Sequence, residues 1–435
     1  MIDATALLLV YYYDYEDRYR PVVKDIVARY SGNVYNPFPI YLYEPLTKIF
    51  SKVIVYDYLK RAAEIGHKAM NREIIELVRR ERPRYVIWTS YYYDVFQETL
   101  NAIRKMGSIV IGWYFDDEWR FDSYSKYWVP YLDFSVTGSI ETVSKYKALN
   151  ARVIHTIPNT GTALYPDWSQ IKGNYSVSFV GTRFYADRPK WFEEVKKLNI
   201  PISAFGTGWT GYVSFEKMLE IFQTSKINLN FSGGGPHGDE KQIKGRVFQI
   251  CMAGGFLLTE YTPGLEKYFV LDKEVVCFRT PKEMAAKIVY YLNHDEERRS
   301  IARAGWERAT REYTSTAMMA KVFEEIEEAN RTGLKPSPIK LRLPLKAHGQ
   351  ISGYYLDWAL AFWNERGSGL WKGALWMMLR HYPFAIPVEW WGASLIRFLP
   401  LPLQNIIRKL YRLARRGLKT IGGKKPGQSV PTLDA

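Results

Sequence analysis

Residues 228–269, NLNFSGGGPHGDEKQIKGRVFQICMAGGFLLTEYTPGLEKYF, hold the densest group of residues whose types and order suit chemistry. An apolar run ends in Ser232, Gly233, Gly234 and Gly235, a loop whose backbone amides can approach a ligand closely. Lys244, Gly245 and Arg246 then open a stretch of helical period, so two cations join a helix N-terminus that itself favours anions. Positive charge there opposes the helix dipole, which argues for a ligand against the alternative of a solvated helix start. Ala253-Gly254-Gly255 ends that helix, and Thr262-Pro263-Gly264 is expected to start another, aimed at the same edge. The order of loop, basic helix start, Gly-Gly stop and Pro-Gly start points to a diphosphate. His237, inside the loop, suits orienting a phosphate or relaying a proton, or is an ordinary loop histidine. Gly181, Arg183 and Arg188 follow an earlier apolar run and are placed to face the same diphosphate, with a surface role open for both arginines.

A second group lies far upstream, in GWYFDDEWRFD at residues 112–122. Asp116 and Asp117 end an apolar run and Glu118 follows. Paired acids after a strand suit a divalent cation, a general base or a solvated turn. With the diphosphate already served by cations and amides elsewhere, a metal is not needed for charge, and none is expected. Asp116 or Asp117 then becomes a candidate to take a proton from, or bind, a hydroxyl of a second substrate. Adjacent residues of an extended chain point to opposite sides, so only one of the two is expected to face the site.

Short apolar runs alternate with stretches of helical period along most of the chain. Candidate strands are 7–11, 53–56, 85–89, 109–114, 134–137 and 153–156, with helices at 21–30, 58–82, 95–105 and 140–149 between them. After a Pro-, Gly- and Asn-rich stretch at 157–174 the pattern restarts. Strands are then expected at 176–180, 202–205, 227–231, 256–258 and 275–278, with helices at 191–198, 215–224, 246–252 and 281–292. A helical run over 296–330 closes the pattern. Alternation of this kind predicts parallel sheets covered on both faces. The reading is α/β: two Rossmann-like domains facing a cleft, 1–160 and 175–332, plus a basic, Trp-rich helical tail over 333–435. In such sheets ligands sit beyond the carboxyl ends of the strands. Two tyrosine triplets, in VYYYDYEDRY at 10–19 and SYYYDVFQET at 90–99, follow strands and suit stacking at the cleft rim or local packing.

The stretch QIKGRVFQICMAGGFLLTEYTPGLEKYF, with EVVCF and PKEMAAKIVYYLNHDEERRSIARAGWERATREYT after it, resembles the C-terminal domain of CgeB-like, spore-maturation-type group 1 glycosyltransferases, whose fold is GT-B. The resemblance spans roughly 175–328 and includes SFVGTRFYADRP and ISAFGTGW; VIGWYFDDEWRFD, DFSVTGS and IPNTG are similar to the same family less tightly. It implies a metal-independent transfer from a nucleotide-diphosphate sugar held by residues 175–332, a co-substrate and not a cofactor, to a glycan, lipid-linked or protein acceptor held by residues 1–160, with Asp116 or Asp117 on the acceptor side. Lys244 and Arg246 would neutralise the diphosphate, helped by Ser232–Gly235, Thr262–Gly264 and Arg183. Gly206, Gly208 and Trp209 would approach the base. The family usually has Glu where this chain has Gln249, the position expected to bind ribose hydroxyls; a neutral amide binds diols less strongly, and Glu260 or Glu240 is placed to compensate. A nucleotide-sugar-binding protein without transferase activity, or a nucleotide-sugar epimerase, is the alternative.

Charge is uneven. Of a net +15, most lies after Gly333, where 16 Lys or Arg face four acids. Residues 403–419 place Leu403, Ile406, Ile407, Leu410, Leu413, Ala414 and Leu418 on one face and Arg408, Lys409, Arg412, Arg415, Arg416 and Lys419 on the rest. With tryptophans nearby, that pattern suits a helix lying on an anionic membrane surface, or one packed on the protein itself. No nucleic-acid motif accompanies the charge, so no nucleic-acid partner is expected. Cys251 and Cys277 sit in apolar runs without metal-ligand spacing, and the N-terminal residues lack the positive region of a signal peptide. A cytoplasmic protein, peripheral on the inner face of the membrane, is the expectation.

Overall fold

The computed structural model describes residues 1–10, 39–89, 93–157, 160–164, 166, 173–183, 188–211, 213–234, 240–333, 338–361, 369–386 and 403. Two parallel sheets organise it. The first has strands β1 (Ile2–Val10), β2 (Phe50–Asp57), β3 (Tyr85–Thr89), β4 (Ile109–Tyr114), β5 (Phe134–Thr137) and β6 (Val153–His155), in spatial order β2-β1-β3-β4-β5-β6. Four of these strands, β1, β3, β4 and β5, contribute residues with no solvent exposure, among them Leu7, Tyr85, Ile87, Ile111 and Val136. Burial on both faces is what their near-continuous apolar runs require.

The second sheet follows β7 (Tyr175–Val180), β8 (Ile202–Phe205), β9 (Ser225–Asn230), the two-residue ladder β10 (Gly233–Gly234) and β11 (Glu240–Lys241), β12 (Leu257–Glu260) and β13 (Val276–Phe278). Its order is β13-β12-β9-β7-β8, all pairs parallel. Strand order reverses between β7 and β9, which opens a crevice beyond Val180 and Asn230 where such sheets take ligands.

The alternating pattern therefore reads the two-domain α/β plan correctly, and three features differ from it. The helix expected over 58–82 is two, Tyr58–Ile65 and His67–Glu81, because Gly66 adopts φ +81° and breaks the ladder. The last helix of the second segment, Ser315–Arg331, packs on the first sheet, so the boundary drawn at 332 leaves it with the wrong neighbour. Its Met319, Val322, Phe323 and Ile326 share a core with Ala6, Leu8, Phe50 and Tyr85, and the Phe323 ring lies 4.7 Å from Phe50 and 5.4 Å from Tyr85. Finally, the tail is not all surface. Helices Leu345–Ala361 and Gly369–Arg380 form a hairpin whose Ile351, Tyr355, Ala374 and Met377 pack on Leu59, Ala62, Met70 and Ile74. Tyr355 donates to Asp94 at 2.8 Å, and the same carboxylate oxygen is 2.9 Å from Nε2 of buried His67.

The chain crosses between the domains twice, near 157–173 and near 313–315. The crossings are tied together: Ser315 N donates to the Gly161 carbonyl at 2.8 Å, and Gly161 N donates to Ser315 Oγ at 2.7 Å. The expected helix 21–30, both tyrosine triplets apart from Val10, Tyr93 and the residues after it, and residues 404–419 lie outside the described residues.

Candidate functional site

Arg246 stands in the first turn of the helix Gly245–Met252, and its Nη1 donates to the carbonyl of Val180, the last residue of β7. That approach needs glycine beside it, since a Cβ on Gly181 would collide with the guanidinium and come within 2.8 Å of the Phe179 ring. Gly206, at φ +109°, lets the β8 loop close on the same point: a Cβ there would sit 2.7 Å from the Gly181 carbonyl oxygen.

Two further cations join it. Buried Arg188 donates to the carbonyl of Thr182 at 2.5 Å and reaches that of Gly233 at 3.5 Å, so one guanidinium ties the loop after β7 to the loop after β9. Lys244, at the N-cap of the same helix as Arg246, donates to Oε1 of Gln242. Burial pushes the Lys244 ammonium down to about 8; Asp116 and Glu118 pull it up, and Arg246 and Arg188 push it further down. Burial likewise holds Arg246 down at about 10. A cluster of cations that keep one another's charge costly is a site prepared for an anion.

Ser232 lies in the same crevice, its N donating to Glu260 Oε2 at 3.0 Å and its buried Oγ without a partner among the described residues. Glu260 also pairs with Lys241 at 3.2 Å. Gly233 and Gly234 pair with Lys241 and Glu240, which fixes the loop backbone. Thr262 is buried and Gly264 takes φ +91°, but they open only the three-residue 3-10 turn Leu265–Lys267. The second helix terminus expected there is absent, because Pro263-Gly264 makes a turn that no helix continues. Arg183 and Trp209 form a separate pair at the β7–β8 end, the guanidinium 5.0 Å from the ring centroid. His237 and Gly235 lie outside the described residues.

Gln249 is turned toward the other domain. Its Nε2 donates to Tyr41 Oη at 2.5 Å, and both side chains are buried. The Tyr41 ring meets Phe215 edge-on at 6.0 Å.

The acids come from the first domain. Asp116 follows β4 with φ +62°, a left-handed conformation that aspartate tolerates better than most residues. Its carbonyl caps the short helix Asp117–Arg120. The turn sends the two aspartates apart. Asp117 is 1% exposed and accepts from Ser125 Oγ at 2.5 Å and Tyr146 Oη at 2.7 Å, so it faces the domain interior and not the cleft. Burial raises its pKa while those donors hold it down.

Glu118 takes the place sequence reasoning gave to Asp117. Gln242 Nε2 donates to Glu118 Oε2 at 2.8 Å and lies 3.5 Å from Asp116 Oδ1. Burial first, and then the charge of Asp116, push the Glu118 carboxyl up to about 7, against the pull of Gln242 and Lys244. No local signal marks Glu118, because Asp116 is left-handed and residues 117–120 are helical, so alternation along an extended chain does not apply. Gln242 and Tyr41 carry no signal of their own, since the contacts of Gln242 Nε2 with Glu118 and of Tyr41 with Gln249 run across the domain boundary. Among the described residues no group of three or more His, Cys, Asp or Glu is placed to hold a metal ion.

Residues 188–324 match the model of a glycosyl transferase-like family. No curated protein matches the chain. Among solved structures, HepE of Anabaena in complex with UDP and glucose is 9% identical with a TM-score of 0.47, covering 75% of this chain and 100% of its own. Sucrose-phosphate synthase from Thermosynechococcus elongatus is 10% identical with a TM-score of 0.48, at 75% and 100% coverage. A glycosyltransferase from Rickettsia africae ESF-5 is 9% identical with a TM-score of 0.46, at 76% and 99%. These likenesses are distant, and the reading that follows rests on the family match and on the site.

Proposed function

We propose that this chain is a GT-B glycosyltransferase of the group 1, CgeB-like kind, moving a sugar from a nucleoside-diphosphate sugar to a glycan, lipid-linked or protein acceptor. The observation that carries the reading is the meeting of Lys244, Arg246 and Arg188 at the β7/β9 crevice with Asp116 and Glu118 opposite. The diphosphate would lie against the three cations and the Ser232–Gly234 backbone, which stabilise the charge that grows as the sugar's bond to the diphosphate breaks. Their charge serves the purpose a divalent cation serves elsewhere, so the proposed transfer is metal-independent. Glu118, poised near neutrality, takes the proton of the acceptor hydroxyl as its oxygen bonds to the sugar carbon. Gln242 holds Glu118 with its amide nitrogen and Lys244 with its amide oxygen, so donor and acceptor groups are set by one side chain.

Both cysteines are free and buried, which accords with a reducing, cytoplasmic setting. Among the described residues no helix is long and apolar enough to cross a membrane. A second reading, a nucleotide-sugar-binding protein without transfer, draws on the Gln249–Tyr41 bond, which occupies the group expected to meet the ribose. Calorimetry with UDP-, GDP-, ADP- and dTDP-sugars, followed by transfer and hydrolysis assays with whichever binds, separates the two. Binding of none of them rejects both; binding without turnover rejects the first.

A further inference from the structure

The open end of the C-terminal hairpin differs from its packed middle. Leu345, Leu379, Tyr382 and Phe384 are all exposed there, Phe384 at 78%. They are gathered at one place because the two helices run antiparallel, which sets the first turn of Leu345–Ala361 beside the last of Gly369–Arg380. Ser352 Oγ donates to the Met378 carbonyl at 2.8 Å. The Tyr382 ring lies 4.7 Å from that of His348 and 5.6 Å from that of Phe384. Large exposed apolar groups that cluster in this way mark a binding surface more often than scattered ones do.

The charge around the patch narrows the occupant. Lys340, Arg342 and Lys346 are exposed in the segment PIKLRLPLK that leads into the first helix, and the segment contains no acid. The chain leaves the patch at Ile386 and continues into residues 387–435, where nine Lys or Arg face two acids. A second copy of this chain would bring like charges together across a two-fold axis, and the chain's own continuation is cationic as well. Apolar side chains bordered by Lys340, Arg342 and Lys346, with Arg380 paired to Glu98 at 2.8 Å, match acyl chains beneath phosphate head groups.

We propose that this end of the hairpin is a docking face for an anionic lipid bilayer. Leu345, Leu379, Tyr382 and Phe384 enter the interfacial layer, and Lys340, Arg342 and Lys346 meet the phosphates. The proposal does not depend on the sugar-transfer reading, and nucleotide binding serves as its separate control.

The test is co-sedimentation of the full chain with vesicles of phosphatidylcholine alone and of equal parts phosphatidylcholine and phosphatidylglycerol. The parent should bind the mixed vesicles, more weakly as salt rises. The double variant Leu379→Glu/Phe384→Glu should bind them on the order of a hundredfold less, about tenfold for each apolar side chain kept in water. Its melting temperature and nucleotide affinity should match the parent's, since both side chains already face solvent. Three results overturn the proposal: a parent that ignores vesicles or prefers neutral ones, a double variant that sediments as the parent does, or light scattering that shows a parent dimer split by Phe384→Glu.

Discussion

The two sides of the cleft are built by opposite means. On the second domain, Arg246 and Arg188 are anchored by donating to carbonyls at strand ends, with glycines cut away so that the guanidinium of Arg246 can lie on the backbone. On the first domain, the acids are set by a strained turn at Asp116 and by burial, with one amide, Gln242, reaching over from the other domain. The cationic side is thus complete within its own domain. The acidic side takes its final geometry only when the domains meet. In the transfer proposed above, a site divided in this way would bind the donor on one domain and gain its base through contact with the other.

The sharpest way to break that division is Glu118→Gln. Turnover should fall by roughly 10²–10⁴, the usual worth of a positioned base, while donor affinity stays within about twofold. In the parent, kcat/KM should rise with pH through about 7 as the Glu118 carboxylate forms, and fall above about 8 as Lys244 loses its proton. Loss of the lower limb in the variant identifies Glu118; an unchanged profile assigns the limb elsewhere.

Arg246→Ala attacks the other side. Nucleotide affinity should drop on the order of fiftyfold by calorimetry, equivalent to about 2 kcal/mol for a charge-assisted contact. Asp117→Asn should do something different in kind: a loss of about 1–2 kcal/mol of stability in a denaturant melt, because buried hydroxyls of Ser125 and Tyr146 keep a weaker acceptor, with turnover per folded molecule near the parent's. Equal catalytic losses in Asp117→Asn and Glu118→Gln would refute the separation of the two acids.

The smallest expected effect concerns Lys244. Its folded-state pKa is lowered, so its charged form is less favourable in the folded chain than in the unfolded one. Stability from this group should rise as pH climbs through about 8. Lys244→Met should therefore raise stability slightly, by about 0.5–1 kcal/mol, while weakening nucleotide binding. A destabilised variant would show that the cations are held by more than a bound anion repays.

Much of this was legible in the sequence. The alternation of apolar runs with helical periods located eleven strands of the two main sheets, and the loop, cation and glycine order at 232–255 pointed to the crevice beyond β7 and β9 that is proposed to take the diphosphate. What stayed hidden depends on partners distant in sequence. The apolar face of Ser315–Arg331 shows that something covers it, but not that the first sheet does. Nothing in DDE shows which acid turns inward, since that is decided by the left-handed φ of Asp116 and by Ser125 and Tyr146 waiting to receive Asp117. Gln249 is read from a family pattern as a ribose ligand, yet its hydrogen bond runs to Tyr41, more than two hundred positions away.

The bonds between Gly161 and Ser315 have a mechanical meaning. Two chain segments that cross independently would let one domain swing and twist freely on the other. Pinned to each other by reciprocal hydrogen bonds, they act as one pivot, and the helix that begins at Ser315 is rooted in the first sheet through Phe323. Any opening of the cleft would then turn about that pivot. Gln242 and Glu118 would part and rejoin along one arc, and closure would return the acid to the same place beside the cations.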